Sequence, residues 1–172
     1  MIVSTHGILA SSGAVDNASG YLFKSTTDST IVTGTTTNTI SYSNLIPANT
    51  MLVGDFFQYQ FNAVRAGFTA TTVIRVYFNT SLTLSGATLA GTYSFSQALS
   101  SVFMSKITPI KSATNTEFNV VTGSVLSRDT SANISPTGAN INWTVNQYFM
   151  IAFLPSSLTD QAWVNGLFFL KT

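Results

Sequence analysis

The stretch from Leu45 to Gly91, LIPANTMLVGDFFQYQFNAVRAGFTATTVIRVYFNTSLTLSGATLAG, constrains the fold more than any other part of the chain, because two runs inside it alternate without a break. Phe57, Tyr59, Phe61 and Ala63 share one parity, and Gln58, Gln60 and Asn62 the other. In the second run Thr72, Ile74, Val76 and Phe78 fall on one side, and Thr71, Val73, Arg75, Tyr77 and Asn79 on the other. Successive side chains of a strand point to opposite faces, so this spacing is that of two half-buried β-strands. The link between them holds Gly67. The pair is therefore expected to form a hairpin with a longer loop.

Similar runs recur along the chain. Strands are expected near residues 20–24, 39–45, 89–95, 99–110, 117–126, 141–145, 148–154 and 163–170. Pro109 is expected to bend or break its strand, since it cannot donate to a ladder, and Gly123 marks a bulge. Residues 128–140, with Pro136 and Gly138, read as a loop. No convincing helix is found, and the strongest helical contender is the stretch from Ser96 to Met104. Eight to ten strands at short spacing predict an all-β antiparallel sandwich or barrel. Residues 1–35 are interrupted by Gly7, Gly13 and Gly20 and by Ser and Thr. They are expected to form an N-terminal arm, either docking on another chain or supplying edge strands to the sandwich of residues 36–172.

Only 8% of the 172 residues are charged and the formal net charge is +1, whereas ordinary domains carry about 25% charged residues. The seven cations, Lys24, Arg65, Arg75, Lys106, Lys111, Arg128 and Lys171, are scattered. A nucleic-acid surface needs them clustered, so no nucleic-acid partner is expected. Ser and Thr together number 48. An uncharged surface of this kind suits assemblies, where few charges must be desolvated at contacts. With no Cys there is no disulfide and no thiolate chemistry. No run reaches the roughly 18 apolar residues of a membrane span. The first twenty residues lack the basic start and apolar core of a signal peptide. Folding in the cytoplasm where the chain is made, without membrane contact, is the expectation.

The same central stretch carries a resemblance. Ile46-Pro47-Ala48-Asn49-Thr50, Val53-Gly54-Asp55, a strand, a Gly-containing loop and Arg75-Val76-Tyr77-Phe78-Asn79-Thr80-Ser81 together resemble virion surface proteins of tailed bacteriophages. The likeness is to the jelly-roll modules of head fibres, capsid decoration proteins and tail fibres or spikes, over roughly residues 40–172. It implies an antiparallel jelly-roll β-sandwich, a homotrimer, location on the virion and attachment to other virion proteins through the arm. It transfers no catalytic residue.

Chemistry is sparsely represented. His6 is the only histidine, and the carboxylates Asp16, Asp28, Asp55, Glu117, Asp129 and Asp160 are spread along the chain. A hydrolase triad, a carboxylate pair or a metal site would have to be built from these few groups, and turn capping accounts for most of them. No catalytic residue, metal or cofactor is expected. The resulting expectation is a non-enzymatic, self-associating structural protein. The alternative is a receptor- or carbohydrate-binding module at a virion or cell surface, with host glycan as partner and Phe68 and Tyr77 as exposed rings.

Two late segments direct attention to self-association. Residues 148–154 and 163–170 are apolar on both parities, more apolar surface than one sheet face hides. Trp163, Leu167 and Phe169 are expected on one side of the last strand, and Val164, Phe168 and Leu170 on the other. Tyr148, Met150, Trp163, Phe168 and Leu170 are the expected contacts in a symmetric homo-oligomer.

Overall fold

A computed structural model of the protein describes residues 20–67, 71–95, 99–114, 116–118 and 137–172. Among these residues ten strands follow one another: β1 (Tyr21–Asp28), β2 (Thr39–Ile46), β3 (Phe56–Ala66), β4 (Thr72–Asn79), β5 (Thr88–Phe95), β6 (Ser101–Pro109), β7 (Thr116–Phe118), β8 (Thr137–Ala139), β9 (Gln147–Pro155) and β10 (Gln161–Lys171). No helix occurs among the described residues. Sheet I has the order β1-β10-β3-β6 and sheet II the order β2-β9-β4-β5, while β7 and β8 form a short ribbon. Every pairing is antiparallel. The chain is an all-β sandwich.

The expected hairpin does not form. β3 pairs with β10 and β6, whereas β4 pairs with β9 and β5. The link through Gly67 carries the chain from one sheet to the other. Gly67 has φ 88°, and a Cβ there would lie 2.7 Å from the Thr159 carbonyl oxygen, so only glycine fits this crossing. Alternation fixes which face of a strand is buried, not which strand lies beside it. The apolar faces of β3 and β4 meet across the core instead of side by side.

The core between the sheets is aromatic. Phe57, Tyr59, Phe61 and Phe169 of sheet I are at most 1% exposed, as are Phe78, Phe149 and Phe153 of sheet II. Ring centroids lie 5.2 Å apart for Phe149 and Phe169 and 5.4 Å for Phe57 and Phe169. Each such side chain contributes about 1.5–3 kcal/mol by burial. Polar groups in this interior are tied across it. The Tyr59 and Tyr93 hydroxyls are 3.0 Å apart, and buried Lys106 donates from Nζ to the Ala90 carbonyl at 3.1 Å. Arg65 and Asp160 are also buried. Desolvation pulls the Arg65 guanidinium below its ordinary value, opposed by the charge of Asp160.

Of the two alternatives for residues 1–35, the described part takes the second: β1 is the edge strand of sheet I, and Val32 bridges Ala162 in β10. The remainder of the expected arm, residues 1–19, lies outside the described residues. Residues 141–145 form a turn, not a strand, because the Asn142 carboxamide accepts from the Thr144 N–H at 3.0 Å and Gln147 Nε2 reaches back to the Asn142 carbonyl at 2.9 Å. Trp143 is held inward by donating from Nε1 to Thr116 Oγ1 at 2.8 Å. Residues 101–109 form β6, within the strand expected at 99–110. Most of the expected strand at 117–126, with Gly123, lies outside the described residues.

Candidate interaction surface

Sheet II covers its own outer face. The connection at residues 80–87 is held by Asn79, whose Nδ2 donates to the carbonyls of Thr83 at 2.8 Å and Ser85 at 3.1 Å. This places Leu84 and Ala87, with Leu89 of β5, on a second small core of Tyr77, Met150 and Ala152. Met150 is 0% exposed and Tyr77 9%. Both expectations for these residues are therefore corrected. Met150 has no surface left for another chain, and Tyr77 is not an exposed ring, since its hydroxyl accepts from Asn38 Nδ2 at 2.8 Å. Tyr148 packs half-buried against the same cluster. Phe68 lies outside the described residues.

Sheet I is different. Trp163, Phe168 and Leu170 sit on its outer face, half-buried. The sequence reading placed Trp163 on the same side as Leu167 and Phe169, but the register of β10 shifts between Val164 and Leu167. Asn165-Gly166 forms a bulge there, with Gly166 at φ 87°. A bulge inserts an extra residue and exchanges the parities beyond it, so Val164, Leu167 and Phe169 all point inward.

The neighbouring strands extend this face. Outward from β3 point Gln58, Gln60 and Asn62, half-buried and without a side-chain hydrogen bond to another described residue. Outward from β6 point Phe103 and Ile107, 51% and 62% exposed, and Phe56 at the start of β3 is 44% exposed. The rows are in register. Leu170, Gln58 and Ile107 lie abreast, as do Phe168, Gln60 and Ser105, and Trp163, Val64 and Ser101. Phe103 lies opposite Asn62, on whose other side is the Asn165-Gly166 bulge. None of the outward positions of β3, β6 or β10 is charged. Lys24 stands at the rim on β1, 5.6 Å over the Tyr21 ring, and Lys171 is paired with Asp55 at 2.9 Å.

This face combines apolar rows with a strip of amides able to donate and accept. It suits a neutral partner, since a charged one would lose its hydration without compensation. Among the described residues no group of three or more His, Asp or Glu side chains converges as a metal site would require. No family model, no curated protein and no solved structure matches the chain.

Proposed function

We propose that this chain is a non-enzymatic structural module of a tailed-bacteriophage virion, a head fibre, capsid decoration or tail-fibre component. In this reading it self-associates, as a homotrimer, through the outer face of sheet I and joins the particle through the segment preceding β1. One observation carries the self-association: a face without charge across β3, β6 and β10 that exposes Phe56, Phe103 and Ile107 beside half-buried Trp163, Phe168 and Leu170. Apolar patches of this kind are rarely left wet on monomers, and a chain with 8% charged residues has little else to keep one soluble. The virion assignment is supported by the sequence resemblance carried by residues Ile46 to Ser81. A jelly-roll topology is part of the reading and is supported by strand order. With the eight sandwich strands counted along the chain, the sheets run one-eight-three-six and two-seven-four-five.

Sedimentation of the purified protein tests self-association, with a discrete oligomer at micromolar concentration expected and a stable monomer overturning it. Mass spectrometry of purified particles of the encoding phage tests location, and absence of the chain from them overturns the virion assignment. A second reading, a carbohydrate-binding module, is favoured by the amide strip flanked by rings. Its sign is retention on a neutral polysaccharide that is lost on Gln60→Ala.

A further inference from the structure

The outer face of sheet I has an asymmetry that limits how a second copy can meet it. The amide strip of β3 has a different row on each side. At the levels of Gln60, Asn62 and Val64 large and small residues alternate out of phase between those rows, while at Gln58 both rows present an aliphatic side chain, Leu170 and Ile107. Level with Gln60, β10 presents Phe168 and β6 presents Ser105. Level with Asn62, β6 presents Phe103 and β10 the Asn165-Gly166 bulge. Level with Val64, β10 presents Trp163 and β6 presents Ser101.

We propose that a second copy of this chain seats on this face with the symmetry axis of the assembly parallel to β3. The inference rests on the self-association proposed above and names its geometry. Rotation about an axis parallel to β3 keeps every residue at its own height and exchanges left for right. The β10 row of one copy then packs on the β6 row of the next. Phe168 enters the space left by Ser105, Phe103 the space at Gly166, and Trp163 the space at Ser101. Rotation about an axis that crosses β3 at Gln60 instead sets Phe168 against Phe168 and Ser105 against Ser105, a clash beside a void. Packed interfaces tolerate neither.

Charge and hydrogen bonding favour a second copy as the occupant. A face that meets itself must not repel itself, and the outward positions of β3, β6 and β10 are neutral. A carboxamide donates and accepts, so it is its own complement. With the axis along β3, Gln58, Gln60 and Asn62 each meet the same residue of another copy, at the same height and of the same length. This gives the amides partners that burial against an apolar surface would deny them, at a penalty of about 1–3 kcal/mol per unpaired group.

The absence of cysteine makes the test clean. Ser105 and Phe168 of one chain are two strands apart, about 10 Å, beyond the roughly 7 Å reach of a disulfide. Oxidation of the Ser105→Cys/Phe168→Cys double variant is expected to give covalent multimers on a non-reducing gel, and neither single variant should. Gln60→Glu places like charges around the axis. It is expected to keep the far-ultraviolet spectrum of the parent, to raise the dissociation constant about a hundredfold or more at pH 7.5, and to re-associate when the carboxyl is protonated near pH 4. Cross-linking by Phe168→Cys alone would establish the crosswise axis and overturn the arrangement. An oligomer that ignores both variants also overturns it while leaving self-association standing, and a monomeric parent removes both. A monomer retained on neutral polysaccharide through Gln60 assigns the strip to glycan instead.

Discussion

The outer faces of the two sheets begin with the same problem and resolve it differently. β9 and β10 are each central in their sheet and each carry large apolar side chains on both faces. Over β9 the chain lays its own connection, pinned by Asn79, and Met150 disappears from the surface. Over β10 no described connection passes, and Phe103 and Ile107 on the neighbouring strand are more than half exposed. The same sequence signal, apolar residues on both parities, therefore has two outcomes. What decides between them is the length and anchoring of the connection next to the strand, not the strand itself.

This contrast is testable by planting a charge on each face. Met150→Asp should unfold the protein, because it buries an unpaired carboxylate under a closed cluster. We expect a loss of about 4 kcal/mol or more in urea denaturation. Phe168→Asp should leave the fold nearly intact while breaking the assembly. Sedimentation should show its dissociation constant raised about a hundredfold, roughly 2.7 kcal/mol. If both variants merely unfold, the two faces are equivalent and the contrast fails. Asn79→Ala releases the cover over sheet II without touching what it covers. Its expected cost is about 1–2 kcal/mol, with Tyr77 becoming accessible to a fluorescence quencher. Thr71→Asp, at an exposed position just before β4, should change stability by no more than about 0.5 kcal/mol.

A smaller effect concerns alkaline pH. Burial raises the Tyr42 phenol above its ordinary value, opposed by a hydrogen bond with Asn44. Its neutral form is favoured in the folded state, so this contribution is present below about pH 10 and is lost as pH rises through the folded value. Thermal unfolding measured from pH 8 to 11 should show a decline that is weaker in Tyr42→Phe.

Much of the fold was legible in the chain, and the failures have physical causes. Period-two alternation located β3, β4, β9 and β10 and identified Phe57, Tyr59, Phe61, Ile74, Val76 and Phe78 as inward-facing. It could not say that β3 and β4 belong to different sheets, because a hairpin and a sheet-to-sheet crossing bury the same parity. Ile141, Trp143 and Val145 alternate like a strand, yet Asn142 and Thr144 close a local turn that competes with the ladder. The bulge in β10 did leave a trace, the Asn165-Gly166 pair, which can read as a turn signal when placed between two apolar runs. For the candidate surface, the apolar excess on Trp163, Phe168 and Leu170 was visible. The burial of Met150 and Tyr77 was not, since it depends on where residues 80–87 come to rest.

The position of the last two strands also sets a timetable. β9 separates β2 from β4, and β10 separates β1 from β3. Neither sheet can be completed until β9 and β10 have been synthesised. β1, whose described sheet partner is β10 alone, waits for some 140 residues of synthesis, on the order of ten seconds at ribosomal rates. During that interval β3 can pair with β6 and β4 with β5, but each pair leaves an apolar face and an unmatched edge towards the missing neighbour. The nascent chain is therefore most exposed to aggregation just before β9 and β10 emerge. Its yield should depend on how quickly β9 and β10 close the two gaps, as expected for a topology dominated by distant contacts.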